Sequence, residues 1–191
     1  MTYDGVLRSV EAHLVGTLGP CSGRAGVSFL GSEQIEVLRF SAEGVVRYVT
    51  LGMSRYPMAD PGSELVAQHG PRAELVLTVR GAQDSVLRRL AVLASSPVVE
   101  GVVVSAGAGL DVAEPLWDGA RFTAVLVGQP GGLVADLPVE GDEPVRFLPV
   151  LPMTPNEAAW KRVHGAAALE ERWLAQGLDL RDPFRPEADL G

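Results

Sequence analysis

Gly52, Met53 and Ser54 follow the β-branched run Val45 to Thr50, the place where a serine hydrolase sets its nucleophile on a sharp turn out of a strand. That turn requires a small residue two positions beyond the serine, and Tyr56 stands there. Sterics therefore count against a nucleophile elbow. Ser54 reads first as a structural residue, with a hydrolase using Ser54 and His69 or His164 as the alternative. The three histidines, His13, His69 and His164, form no pair at metal-ligand spacing, and Cys21 is the single cysteine, so the zinc patterns are missing. The acids around Asp142 lack the ordered spacing of a calcium loop. There is no Gly-Lys-Ser/Thr, and Gly107, Ala108, Gly109 lacks the third glycine of a dinucleotide fingerprint. No catalytic residue, metal site or cofactor is expected.

What remains is binding. The segment from Met53 to Pro61 is too broken by proline for regular structure yet carries Met53, Ser54, Arg55, Tyr56 and Met58. It reads as a buried cover or as a recognition surface made of adaptable contact residues. Trp117 is a further candidate anchor, because large aromatics concentrate binding energy where they are exposed. Asp142 and Glu143, with Asp136 and Glu140, form an acidic run that either faces water or steers a basic partner. These eight residues, Met53, Ser54, Arg55, Tyr56, Met58, Trp117, Asp142 and Glu143, are the expected partner contacts.

The chain bounds the partner class. Its 191 residues are 47% apolar and carry a net charge of -8, all of it in residues 96–191. Such a chain lacks the positive field needed to neutralise a phosphate backbone, so nucleic acid is not an expected ligand. No apolar run approaches the roughly 20 residues of a membrane helix, and Asp4, Arg8 and Glu11 interrupt any signal-peptide core. A soluble cytoplasmic protein is expected. Lys161 is the only lysine among 16 basic residues, and Ile35 and Asn156 are each the only residue of their type. That bias matches a GC-rich bacterial genome.

Several elements must position these residues. Val6, Leu7, Val10 and Leu14 recur at helical spacing, predicting a helix over 3–16 closed by Gly16, Gly19 and Pro20. Ile35 to Phe40 and Val45 to Thr50 form a hairpin around Ser41 to Gly44, and Glu74 to Arg80, apolar on both faces, predicts a central strand. Val86, Leu87, Leu90, Leu93 and Ala94 predict a helix capped by Asp84 and stopped at Ser95 to Pro97. Strands follow over 121–127 and 145–151. Thr154, Pro155, Asn156 and Glu157 predict a capped helix ending at Gly165, and a last helix carries Leu169, Trp173 and Leu174 to Gly177. Beyond residue 182 a flexible tail is expected. Strands in a run with helices at the start, middle and end predict a single-domain α+β fold, a mostly antiparallel mixed sheet flanked by helices.

The run Tyr48 to Ser54, Tyr-Val-Thr-Leu-Gly-Met-Ser, then Pro57 and Met58, then Pro71 to Leu75, resembles the suppressor of fused domain family. Phe147 to Met153, leading to Glu157 and a C-terminal helix, is similar to that family's closing segment. The resemblance spans most of residues 26–176 and assigns 1–182 to one such domain, with 183–191 as the tail. It implies a non-enzymatic domain that holds another protein. In the animal member two domains clamp an extended peptide by adding it as a strand. Single-domain bacterial members resemble immunity proteins, which implies neutralisation of a cognate toxin, with a basic toxin domain as a partner suited to the acidic second half. An adaptor that binds peptides at a sheet edge is the alternative.

Overall fold

The computed structural model describes residues 3–29, 33–59 and 69–191. In chain order it contains α1 (Tyr3–Leu18), β1 (Gly23–Val27), β2 (Ile35–Ala42), β3 (Val45–Leu51), a 3-10 turn (Met53–Arg55), β4 (Arg72–Arg80), α2 (Val86–Glu100), β5 (Gly109–Asp111), β6 (Ala124–Val127), β7 (Val145–Met153), α3 (Pro155–His164) and α4 (Ala166–Ala175). The strands form one seven-stranded sheet in the order β1-β2-β3-β4-β7-β6-β5. Every pair is antiparallel except β4 and β7, which run parallel with Arg72 opposite Val145. The fold is α+β with a mostly antiparallel sheet, as the run of strands implied.

Side-chain alternation splits the core between the two faces. On one face Tyr48, Leu75, Leu77, Leu148 and Val150 pack against Leu90, Ala91 and Ala94 of α2. On the other, Leu38, Phe40, Val49 and Phe147 meet Val6, Val10 and Leu14 of α1. Leu126 and Met153 meet Leu169 and Trp173 of α4. Phe147 and Met153 share a parity on β7, so α1 and the α3–α4 pair lie side by side on the same face.

β7 changes partner halfway. Val145 to Pro149 pair with β4, and Val150 to Met153 pair with β6. Apart from the bridge of Val145 to Leu137 and the Gly128 N–H on the Pro149 carbonyl, each half has one side outside the ladder, which accommodates Pro149 and Pro152 in an interior strand that would otherwise need their N–H groups.

Some elements differ from the sequence reading. α1 runs through Gly16 to Leu18. The hairpin turn is two residues rather than four, with Glu43 at φ 52° and Gly44 at φ 78°, the pair of left-handed positions that matches strand twist. α2 passes through Pro97 and ends at left-handed Gly101; the Ser95 hydroxyl donates to the Val92 carbonyl at 2.7 Å where the ladder is perturbed. Asp84 does not cap α2 with its carboxylate. It accepts the Tyr48 hydroxyl at 2.7 Å and faces Arg39 at 3.3 Å. Burial, and then Asp84, push the Tyr48 phenol up to about 12. β6 begins at Ala124 rather than 121.

Residues 183–191, expected as a flexible tail, are tied down instead. The Arg185 side chain is 1% exposed and Glu157 0%; the two pair at 2.8 Å through Nη1 and Oε1 and at 2.8 Å through Nη2 and Oε2. Arg185 Nη2 also donates to the Pro152 carbonyl, and the Ala188 N–H donates to Glu157. The guanidinium lies over the rings of Phe122 and Trp173 at 4.8 and 5.3 Å. Glu157 is thus both the closing residue of the predicted Thr154 capping box and the anchor of the C-terminal strap.

Candidate functional site

Thr50 to Ser54 leaves β3 through Gly52, whose φ is 141° and whose added Cβ would lie 3.2 Å from the Gln34 carbonyl oxygen and the Ile35 Cα. Only glycine fits both constraints. One carboxylate holds the turn closed. Glu74, fully buried in β4, accepts the Thr50 hydroxyl at 2.6 Å on one oxygen. Its other oxygen accepts the Gly52 N–H at 2.9 Å, the Ser54 N–H at 3.0 Å and the Ser54 hydroxyl at 2.6 Å. Thr50 Oγ1 in turn accepts the Leu75 N–H at 2.8 Å. Burial pushes the Glu74 carboxyl above the usual range, against the pull of those four donors.

Arg72, 5% exposed, closes the next shell. Its Nη1 donates to the carbonyls of Ser54 at 2.8 Å and Arg55 at 2.7 Å. Nε and Nη2 each reach Asp142 Oδ2 at 3.0 Å. The second Asp142 oxygen accepts the N–H groups of Gly70 at 3.1 Å and Glu143 at 2.8 Å. Burial alone would raise Asp142, but those two N–H groups and then Arg72 hold it below the usual carboxylate range.

The eight expected contact residues therefore divide. Met53, Ser54, Met58 and Trp117 are 4%, 0%, 4% and 2% exposed; they are core and offer a partner no surface. Met58 Sδ accepts the Val104 N–H at 3.4 Å, and Trp117 packs on Phe122 with ring centroids 5.7 Å apart. The loop is a cover over this part of its length; its Asp60 and Pro61 lie outside the described residues. Asp142 is committed to Arg72. Arg55, Tyr56 and Glu143 keep exposed atoms, with Arg55 at 2.5 Å from Glu33 and the Tyr56 hydroxyl donating to Glu33 at 3.0 Å. The structure brings Ser54 and a carboxylate together, but in the interior. The histidines lie elsewhere: His13 on the Ala135 carbonyl, His69 3.9 Å from Asp142, His164 stacked on Trp160. No group of three or more metal-ligating side chains occurs among the described residues.

Glu74 and Arg72 were not singled out from the sequence. The available signal was one carboxylate inside the apolar run Ala73 to Val76, which a central strand tolerates only with donors aimed at it.

The open surface lies at the sheet ends. Among the described residues β5 pairs with β6 on one side only, bracketed by the Val127 N–H on the Ala108 carbonyl at 2.8 Å and the Val112 N–H on the Thr123 carbonyl at 3.0 Å. Antiparallel alternation turns residues 108, 110 and 112 toward β6, so the backbone groups of Gly109 and Asp111 point outward. Both residues are exposed. Along the approach to β5, a cleft of about 420 Å³ is lined by Arg72, Val103, Ser105, Gln129, Glu143 and Arg146. No helix among the described residues is long and apolar enough to cross a membrane.

A family model described as suppressor of fused protein (SUFU) matches residues 31–186. Among curated proteins none matches. A crystal structure of a putative suppressor of fused homologue from Neisseria gonorrhoeae is similar at 17% identity, covering 96% of this chain and 97% of that one, with a TM-score of 0.71. A chain of the Sufu–Fu complex is similar at 11% identity over 97% of this chain and 91% of that one, TM-score 0.66. Drosophila Suppressor of Fused is similar at 10% identity, TM-score 0.64; 96% of this chain corresponds to 50% of that one.

Proposed function

The chain belongs to the suppressor of fused family, and from that premise we propose that it is a non-enzymatic binding protein that holds an extended segment of a protein partner against the open β5 edge. The observation that carries this reading is the outward pair of backbone donors and acceptors at Gly109 and Asp111, in a strand bonded on one side only among the described residues. An added strand uses such groups for affinity and alternate side chains for selectivity. A Sufu chain solved with a protein partner, and the commitment of the buried Ser54 hydroxyl to Glu74, both favour holding over turnover. Arg55, Tyr56 and Glu143 are proposed as accessory contacts.

The finer reading is an immunity-type cytoplasmic protein that neutralises a cognate bacterial toxin by direct binding. Its supports are the bacterial neighbour of matching length and the net charge of -8, which speeds encounter with a basic toxin domain. Asp111→Pro removes one outward N–H and leaves the β6 ladder intact. Extended peptides on an array should bind the native chain and Asp111→Ala but not Asp111→Pro, at unchanged Tm. Equal binding by all three overturns the edge reading. Co-expression with a toxin domain encoded beside the gene should protect a host; continued killing, or no toxin gene beside it, overturns the immunity reading alone.

A further inference from the structure

Lys161, the only lysine in the chain, projects from α3 over the β5 edge. Gly109 makes the room: an added Cβ there would lie 3.4 Å from Lys161 Nζ, 4.0 Å from its Cδ and 3.7 Å from Met153 Cε. Together they border a small cleft of about 80 Å³ with Asp111 and Arg162. The Lys161 Nζ has no carboxylate and no hydrogen-bond partner among the described residues, whereas its neighbour Arg162 faces Asp111 at 3.8 Å.

Resting on the edge-binding reading above, we propose that this edge selects a partner segment carrying an acidic side chain opposite Gly109. Residues directly opposite one another in neighbouring strands point to the same face. The side chain across from Gly109 therefore enters the α3 face, where glycine contributes nothing and the Lys161 ammonium waits without a counter-charge. A carboxylate there completes an ion pair; a cation there meets a like charge. The position two residues away lies across from Asp111, already matched by Arg162, and gains nothing from charge. The net charge of -8 acts at long range and this contact acts at short range, so a basic domain presenting one acid in an extended segment satisfies both.

The probes are three short labelled peptides of alternating Thr and Val with one central Glu, Gln or Lys, titrated by fluorescence anisotropy. The Glu peptide should bind roughly tenfold tighter than the Lys peptide, with Gln between, and the gap should narrow with added salt. Lys161→Glu should invert the order, and Lys161→Gln should flatten it, the first at a slightly lowered Tm because Glu opposes the dipole in the last turn of α3 and the second at close to native Tm. Binding without charge preference that is still lost in Asp111→Pro overturns the acidic selection and leaves the edge reading standing. Binding of none of the three peptides overturns both. Self-association of the free chain that Lys161→Glu leaves unchanged makes a second copy the occupant and also overturns it.

Discussion

Glu74 shows how a buried charge can serve as a turn's scaffold. Two backbone N–H groups and two hydroxyls end on it, and all but the half-buried Gly52 N–H are buried with it. Glu74→Leu orphans the Gly52 and Ser54 N–H groups, and should cost about 3 kcal/mol in urea denaturation. Glu74→Gln keeps an acceptor at the crowded oxygen and removes the charge. Because burial raises the folded carboxyl above its unfolded value, the native state binds the extra proton. The stability tied to that proton is present below the unfolded value and is lost as pH rises through the folded one. The stability of Glu74→Gln relative to the native chain should therefore climb as pH rises from about 4 toward neutrality, read as the difference between two denaturation series. A flat difference would mean that the carboxyl titrates normally. At this scale the sequence exposed Ser54 as structural but hid its partner, because a glutamate in a strand looks the same whether four donors or water surround it.

Elements were legible where periodicity was long and hidden where it was short. α1, the β2–β3 hairpin, β4, α3 and α4 all follow from apolar spacing and capping, and the Thr154 capping box was readable residue by residue. β1 reads Gly-Arg-Ala-Gly-Val and β5 is three residues long; neither offers an alternation to count, and β5 is the edge on which the proposed binding depends. Pro97 looked like a stop because it has no N–H to give the ladder, yet α2 continues past it to Glu100, with Val98 and Val99 exposed, and ends only at left-handed Gly101. The hairpin turn yields a simple check. Glu43 occupies a left-handed position that asparagine adopts more readily, so Glu43→Asn should stabilise the domain by about 0.5 kcal/mol, seen as a higher Tm. A lower one would place the Glu43 side chain in a contact of its own.

Across the whole molecule, three separate cores hang on one sheet, and the last is closed by a segment that looked dispensable. Nothing in Pro183 to Gly191 has the periodicity of an element, so its burial could be found only through the long-range pairing of Arg185 with Glu157. Burial alone would raise Glu157, but Arg185 first, then the Ala188 and Thr154 N–H groups, hold it below the usual range. That contribution is present above the unfolded value and is lost as pH falls through the folded one. Arg185→Met leaves the carboxylate buried without its cation and should cost about 3–5 kcal/mol at neutral pH. The double variant Arg185→Met, Glu157→Gln should recover much of it, as measured by thermal and urea unfolding. A single variant as stable as the native chain would show that the strap does not support α3.

The parallel pair at the centre of the sheet has a consequence for how the protein is made. β4 is synthesised long before the strand that covers its second edge, and at roughly 5–20 residues per second the ribosome needs several seconds to reach β7. Through that interval the nascent chain displays Arg-Ala-Glu-Leu-Val-Leu-Thr-Val-Arg with one side unzipped, the kind of sticky ribbon that nucleates clumping. Wetted by solvent, Glu74 is then an ordinary anion in the midst of it, a gatekeeper against misassociation, and the two arginines at its ends add to the guard. The same carboxyl that later disappears into the interior would thus protect the chain while it is still unfinished.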